Sequence, residues 1–133
     1  MLRHVTYLVA IVSLATLTLG CQPQRQDAAK FPVQGTVTLD GKPMPKGIIY
    51  FKTIATGSVD AMDIVDGKFS GEAEPGERRV EISAFRPVPS ATPGMGEGEE
   101  NFIPAKYNTK STLSADVGTD KQLEDFQFAV TSK

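Results

Sequence analysis

Val33-Gln34-Gly35-Thr36-Val37-Thr38-Leu39, followed at once by Asp40-Gly41, decides the fold class. Val33, Val37 and Leu39 share one parity while Gln34, Thr36 and Thr38 share the other, which is the two-residue period of a half-buried strand. Asp-Gly tolerates the positive φ angles of a tight turn. Gly35 interrupts the run, so a bulge or the close approach of a neighbouring backbone or ring is expected there. The same grammar recurs downstream. Pro43 and Pro45 keep the chain out of a ladder until Gly47, and Ile48-Ile49-Tyr50-Phe51 is apolar on both faces, as in a central strand running to Lys52. A weaker strand is expected from Ser58 to Val65, then a second Asp-Gly turn at Asp66-Gly67 and a short return over Lys68-Phe69-Ser70-Gly71. Glu74-Pro75-Gly76-Glu77 is a turn signal, after which Val80, Ile82 and Ala84 alternate with Arg79, Glu81 and Ser83. Leu113, Ala115 and Val117 share a face within Thr112 to Val117, and Phe126, Phe128 and Val130 form the last strand. Seven short strands separated by turn signals predict an all-β sandwich over residues 31–133.

One interval breaks the pattern. Pro87 to Ala105 holds Pro87, Pro89, Pro93 and Pro104, glycines at 94, 96 and 98, and the acidic group Glu97, Glu99 and Glu100. It predicts a long loop with neither regular helix nor strand, having a mobile tip on stiffened stems. Connections of that length in a compact domain bind something or are disordered. The candidate binding residues are Glu97, Glu99 and Glu100, with Lys106 and Tyr107 just beyond. The plain alternative is a solvated acidic spacer, with Tyr107 packing its ring over the edge of the core and its hydroxyl bonded to backbone.

Ahead of the strands, Arg3 and the apolar run Val5 to Leu19 read as a secretory signal too short to span a bilayer comfortably. Gly20 then precedes Cys21, the chain's single cysteine. This resembles the lipobox of bacterial lipoproteins, which implies cleavage after Gly20 and acylation of Cys21. The match departs from the usual pattern in having Thr18 three positions before the cysteine and Leu19 two before. Residues 1–20 are thus expected to be a cleaved signal, 21–30 an acylated cysteine with a polar tether, and 31–133 the folded domain, held at the bacterial cell envelope by its acyl chains and facing the periplasm or the exterior.

Composition narrows the chemistry. The whole chain carries 14 basic against 16 acidic residues and one histidine, His4, so losing Arg3 and His4 with the signal leaves 13 against 16 and no histidine. A mildly acidic domain with no basic cluster beyond Arg78-Arg79 has no electrostatic reason to bind nucleic acid. Ser-His or Cys-His catalysis and histidine or cysteine metal sites are not available to it, so no enzyme, cofactor or metal is expected. Asp60, Asp63 and Asp66 recur every third residue, but on a strand that spacing alternates faces and does not gather them on one ion. The expected role is structural or protein-interacting, through an envelope protein; the alternatives are a glycan or small-ligand binder and, more remotely, a hydrolase.

The order Val33-x-Gly35-x-Val37, Asp40-Gly41-Lys42-Pro43, Gly47 before an apolar strand, Asp66-Gly67-Lys68-Phe69, and Pro75-Gly76 before Val80-x-Ile82 resembles the carboxypeptidase regulatory-like domain. The resemblance implies a seven-stranded transthyretin-like (prealbumin-like) β-sandwich. With Ile103-Pro104-Ala105-Lys106-Tyr107-Asn108 and the closing strand, the set looks like small predicted lipoproteins of planctomycete bacteria, over about residues 32–131. Arg78 departs from it, standing where such domains often place an aromatic. The hydrolases of the transthyretin-like group rely on histidines and a C-terminal motif, and this chain ends Ala129-Val130-Thr131-Ser132-Lys133 with neither.

Overall fold

Alternation in the sequence becomes alternation in burial. In the computed structural model, which describes residues 28–120 and 123–133, strand β1 spans Phe31–Leu39 and buries Val33 and Val37 completely while Thr36 stays exposed. It is followed by β2 (Lys42–Pro43), β3 (Lys46–Lys52), β4 (Val59–Val65), β5 (Lys68–Ala73) and β6 (Gly76–Ser83). Then come β7 (Phe85–Pro89), β8 (Glu97–Asn101), a 3-10 turn at Ala105–Tyr107, β9 (Ser114–Val117) and β10 (Glu124–Val130). The expected signal segment, Gly20, Cys21 and the expected tether up to residue 27 lie outside the described residues.

Both Asp-Gly pairs form the two-residue turns expected of them. Asp40 and Gly41 have φ of 50° and 78°, and Asp66 and Gly67 have 50° and 77°, so each pair takes the left-handed conformation that a tight hairpin requires.

The main sheet has the order β10-β1-β5-β4-β3-β6-β9, with β2 appended to β1. β10 runs parallel to β1, and every other neighbouring pair is antiparallel. The sheet is creased. Phe51 on β3 and Phe126 on β10 are four strands apart in that order, about 19 Å if the sheet were flat. Their ring centroids are 5.8 Å apart. The sheet therefore curls over on itself, and the crease falls between β4 and β5, which pair only at Val65↔Lys68. Val33, Val37, Ile49, Phe51, Ile64, Val80 and Ile82, all fully buried, fill the fold, and Phe69, Phe126 and Phe128 close it through tilted, edge-on and stacked ring contacts.

Gly35 has the close approach its position predicted. A Cβ built there would lie 2.7 Å from the Phe69 ring and collide with the Phe126 carbonyl oxygen, so only a bare Cα lets β10 and the ring pack against β1.

Each of the seven expected strands is present, with ends shifted by a few residues, but the described residues hold ten strands and not seven. Two expectations are corrected. Pro43 does enter a ladder, opposite Thr38, because β2 is a short edge appended to β1 that needs no donor from Pro43. The interval from Pro87 to Ala105 contains strands: β7 and β8 pair in register from Phe85↔Asn101 to Pro89↔Glu97. Ser90 N–H donates to Gly96 O, so even-numbered residues of β7 turn toward β8, and Pro87 and Pro89, which have no N–H, face away from the ladder.

Candidate functional site

The strands give the molecule two poles. At one pole β1 begins beside the end of β5, where Phe31 pairs with Ala73, and β4 and β6 also start there. At the other, β1 ends opposite Val130, β3 begins, and β6 ends at Ser83. The β7–β8 hairpin springs from this second pole. Nine residues of β1 separate the two, about 30 Å of extended chain.

The starting pole holds a buried ionic cluster. Arg78 lies on the same parity as Val80 and Ile82, so its guanidinium is driven inward and is fully buried. Its Nη2 donates to Asp60 Oδ2 at 2.9 Å and to the Phe51 carbonyl at 2.9 Å, and its Nη1 to Glu74 Oε2 at 3.1 Å. Asp60 also accepts the Glu74 backbone N–H at 3.0 Å, and its other oxygen takes Lys30 Nζ at 2.7 Å. Burial pushes the Asp60 carboxyl up, but Lys30, the Glu74 N–H and Arg78 outweigh it and hold the group below its ordinary 3.8. Lys30, the last residue before β1, is thereby fastened to β4 through a carboxylate that is itself buried. Arg78 is thus a fully buried charge held by two carboxylates of its own.

At the far pole the base of the hairpin is held by Asn101. Its Oδ1 accepts the backbone N–H of Ala84 at 3.2 Å and of Ile103 at 3.1 Å, and its Nδ2 donates to Ser83 Oγ at 3.1 Å. Phe102 N–H closes the join on Ala84 O at 3.0 Å. Arg86 and Glu100 pair across the outer face at 2.9 Å. The tip, residues 90–96, places Met95 in solvent at 73% exposure.

Between the hairpin and the main sheet lies a cleft of about 450 Å³, lined by Lys46, Ile48, Asp63, Val65, Phe85 and Glu99 along with backbone of β3 and β4. Its apolar wall is Ile48, Val65 and Phe85; its rim is Lys46, Asp63 and Glu99. Phe85 and Val65, both lining this one cleft, are 49% and 59% exposed, so its apolar wall is open to solvent.

Of the residues singled out from sequence, Glu97, Glu99 and Glu100 all fall on β8, with Glu97 and Glu99 on one face and Glu100 on the other. Glu99 alone of the three lines the cleft. Lys106 and Tyr107 lie elsewhere, docked on the C-terminal residues. Tyr107 packs on the core, as expected, but its hydroxyl meets Thr131 Oγ1 at 3.2 Å, a side-chain partner in place of the expected backbone one. The Thr131 bond, offset in part by burial and helped by Lys106, holds the phenol below its ordinary 10.0. Lys106 Nζ sits 4.9 Å from the Tyr107 ring centre and donates to Lys133 O at 3.0 Å. The five residues therefore form two groups. Asp60, Asp63 and Asp66 also diverge, Asp60 being buried and the other two exposed, and among the described residues no three histidine, cysteine, aspartate or glutamate side chains are grouped to hold a metal ion.

Sequence reasoning missed Arg78 as an inward residue, although its parity with Val80 was visible. It missed Phe85, whose signal was an aromatic on the outward parity directly after the inward Ala84. Asn101 left no signal, because its role depends on where β6 ends relative to β8.

No family model matches the chain. No curated protein matches it either. Among solved structures it is similar to the crystal structure of a DUF3823 family protein from Parabacteroides merdae ATCC 43184, at 15% sequence identity and a TM-score of 0.43, over 79% of this chain and 47% of that one. The chain thus spans about half the length of that protein. The chain itself is an all-β protein built of curled, mainly antiparallel sheet.

Proposed function

We propose that this protein is a non-enzymatic, lipid-anchored interaction module of the bacterial cell envelope, a β-sandwich of the transthyretin-like, carboxypeptidase regulatory-like kind, that engages an envelope protein through the cleft beneath the β7–β8 hairpin. The observation that carries the reading is the exposed Phe85–Val65 wall at the pole opposite Lys30. If Cys21 is acylated, the tether enters at the Lys30 pole, and the hairpin stands about one strand length farther from the membrane. Two or more acyl chains make such an anchor stable where one is marginal. The charged rim and mixed lining favour a protein surface over a small apolar ligand, whose sites are predominantly hydrophobic.

Two measurements test it. Mass spectrometry of the mature N-terminus is expected to find a diacylated or triacylated Cys21; an unmodified cysteine, or cleavage elsewhere, removes the anchor. Quantitative cross-linking from intact envelopes is expected to recover the same partners with wild type and Arg86→Ala but to lose them with Phe85→Asp. Equal recovery with Phe85→Asp removes the cleft.

A further inference from the structure

The order of the sheet makes β10 an edge: among the described residues β1 pairs with one side of it and no strand pairs with the other. Asp40 N–H donates to Val130 O, so Glu124, Phe126, Phe128 and Val130 turn their backbone groups toward β1, and Asp125, Gln127 and Ala129 turn theirs outward. The chain beyond β10 does not fold across that edge. Ser132 N–H is tied to Asp40 Oδ1 beside the end of β1, and Tyr107 reaches only Thr131, one residue past the strand. The other open edges are guarded. β2 is two residues long and holds Pro43, β7 turns Pro87 and Pro89 to its free side, β8 carries Glu97, Glu99 and Glu100, and β9 is four residues long. β10 runs for seven residues, with charge only at Glu124 and Asp125 and with no proline, lysine or arginine. Its Phe126 and Phe128 pack on the core yet stay half-buried, as expected of rings whose outer flank has no strand beside it.

From this we infer that β10 is a dimerisation edge: it pairs antiparallel with β10 of a second copy about a two-fold axis at Gln127, joining the two sheets into one. The outward N–H and C=O groups of Asp125, Gln127 and Ala129 supply the ladder, over about 24 Å of strand. In that register Asp125 meets Ala129 of the second copy, Gln127 meets Gln127, Phe126 meets Phe128 and Glu124 meets Val130. Aromatic residues stand opposite each other twice over, and no like charges do. An axis at Asp125 would set that carboxylate against itself. The strand is therefore complementary to its own reverse, which is what a closed two-fold pairing requires, and this selects a second copy over a foreign strand. No residue of β10 lines the hairpin cleft, so the dimer does not depend on the interaction proposed there.

The test is disulfide trapping in the full chain. Across the axis the two Gln127 Cα atoms would stand about 5.5 Å apart, within disulfide reach. Thr36, the register partner of Gln127 on β1, would stand about 14 Å from its counterpart, three strand spacings and out of reach. Gln127→Cys and Thr36→Cys, both at exposed positions, are oxidised mildly in freshly broken cells. The linked peptides are identified by mass spectrometry, which separates links between two copies of residue 127 from any made through Cys21. The link at 127 is expected to form at least about tenfold faster than the link at 36, since a paired edge raises the effective concentration of the thiols. Adding Ala129→Asp, which sets carboxylates opposite Asp125 at both ends of the ladder, is expected to slow the 127 link about threefold or more, and adding Asp125→Lys as well to restore it. Equal rates at 127 and 36 mean collision alone and overturn the dimer, as does the absence of a 127 link. A 127 link that Ala129→Asp leaves unchanged, or that Asp125→Lys fails to restore, overturns the pairing about Gln127.

Discussion

In the folded sheet the inward positions of β1, β3 and β6 are sealed from solvent, whereas no residue of the β7–β8 hairpin is buried. The sheet is held by apolar volume and rings in contact. The hairpin is held by its own ladder, an exposed ion pair and the three bonds of Asn101 at its root. Burial of side chains such as Phe51 contributes kilocalories each, while an exposed pair such as Arg86–Glu100 contributes little. A region that costs little to alter and still displays Phe85 is suited to contact rather than to folding.

The largest effects are expected in the sheet. Phe51→Ala removes a fully buried ring that touches Phe69 and Phe126, and denaturant melts are expected to show a loss of about 3–5 kcal/mol. Asp60→Ala is expected to cost a similar amount, about 3–5 kcal/mol, because it strips the fully buried Arg78 of a counter-ion. Arg78→Met in the same background restores much of that loss if the buried charge is the cause; no recovery would show that Asp60 acts otherwise. Gly35→Ala is expected to cost about 1–3 kcal/mol by overpacking against Phe69 and the Phe126 carbonyl.

Acid should act on the sheet in the same place. The folded-state pKa of Asp60 lies below its ordinary 3.8, so the folded protein binds fewer protons there than the unfolded chain as pH falls toward that value. Glu81 behaves likewise: burial raises it, but Lys52 and Arg79 hold it below 4.5. Stability from both is full above about pH 5 and is lost as pH falls through the folded values. Melts of wild type are expected to fall steeply from pH 5 to pH 3, and those of Asp60→Asn, which cannot titrate there, to fall less steeply from a lower start. Parallel curves would contradict the assignment.

Smaller effects belong to the hairpin. Asn101→Ala is expected to loosen its root, raising amide exchange across β7 and β8 while exchange in β1 and β3 stays unchanged. Arg86→Ala is expected to change global stability by under about 0.5 kcal/mol.

The same contrast explains what was legible in the sequence. Period-two apolar runs predicted seven strands because burial on one face writes itself into alternation, and the Asp-Gly turns did so through their φ angles. Pro87 and Pro89 signal a loop in the sequence because their register is not visible there, and in that register both point away from the ladder. Its strands bury nothing, so no alternation marked them. The grouping of Glu97, Glu99, Glu100, Lys106 and Tyr107 was sequence proximity; β8 and the docked Tyr107 corner carry them to different surfaces.

Replacing residues 87–99 with a short Gly-Ser linker tests the division of labour most directly, since it removes most of the hairpin but leaves Ala84, Asn101 and Phe102 to close the join. Two readouts are taken on one sample, a thermal melt and quantitative cross-linking to envelope partners. The account predicts a melting temperature within a few degrees of wild type together with loss of the partners. A protein that unfolds, or one that keeps every partner, would contradict it.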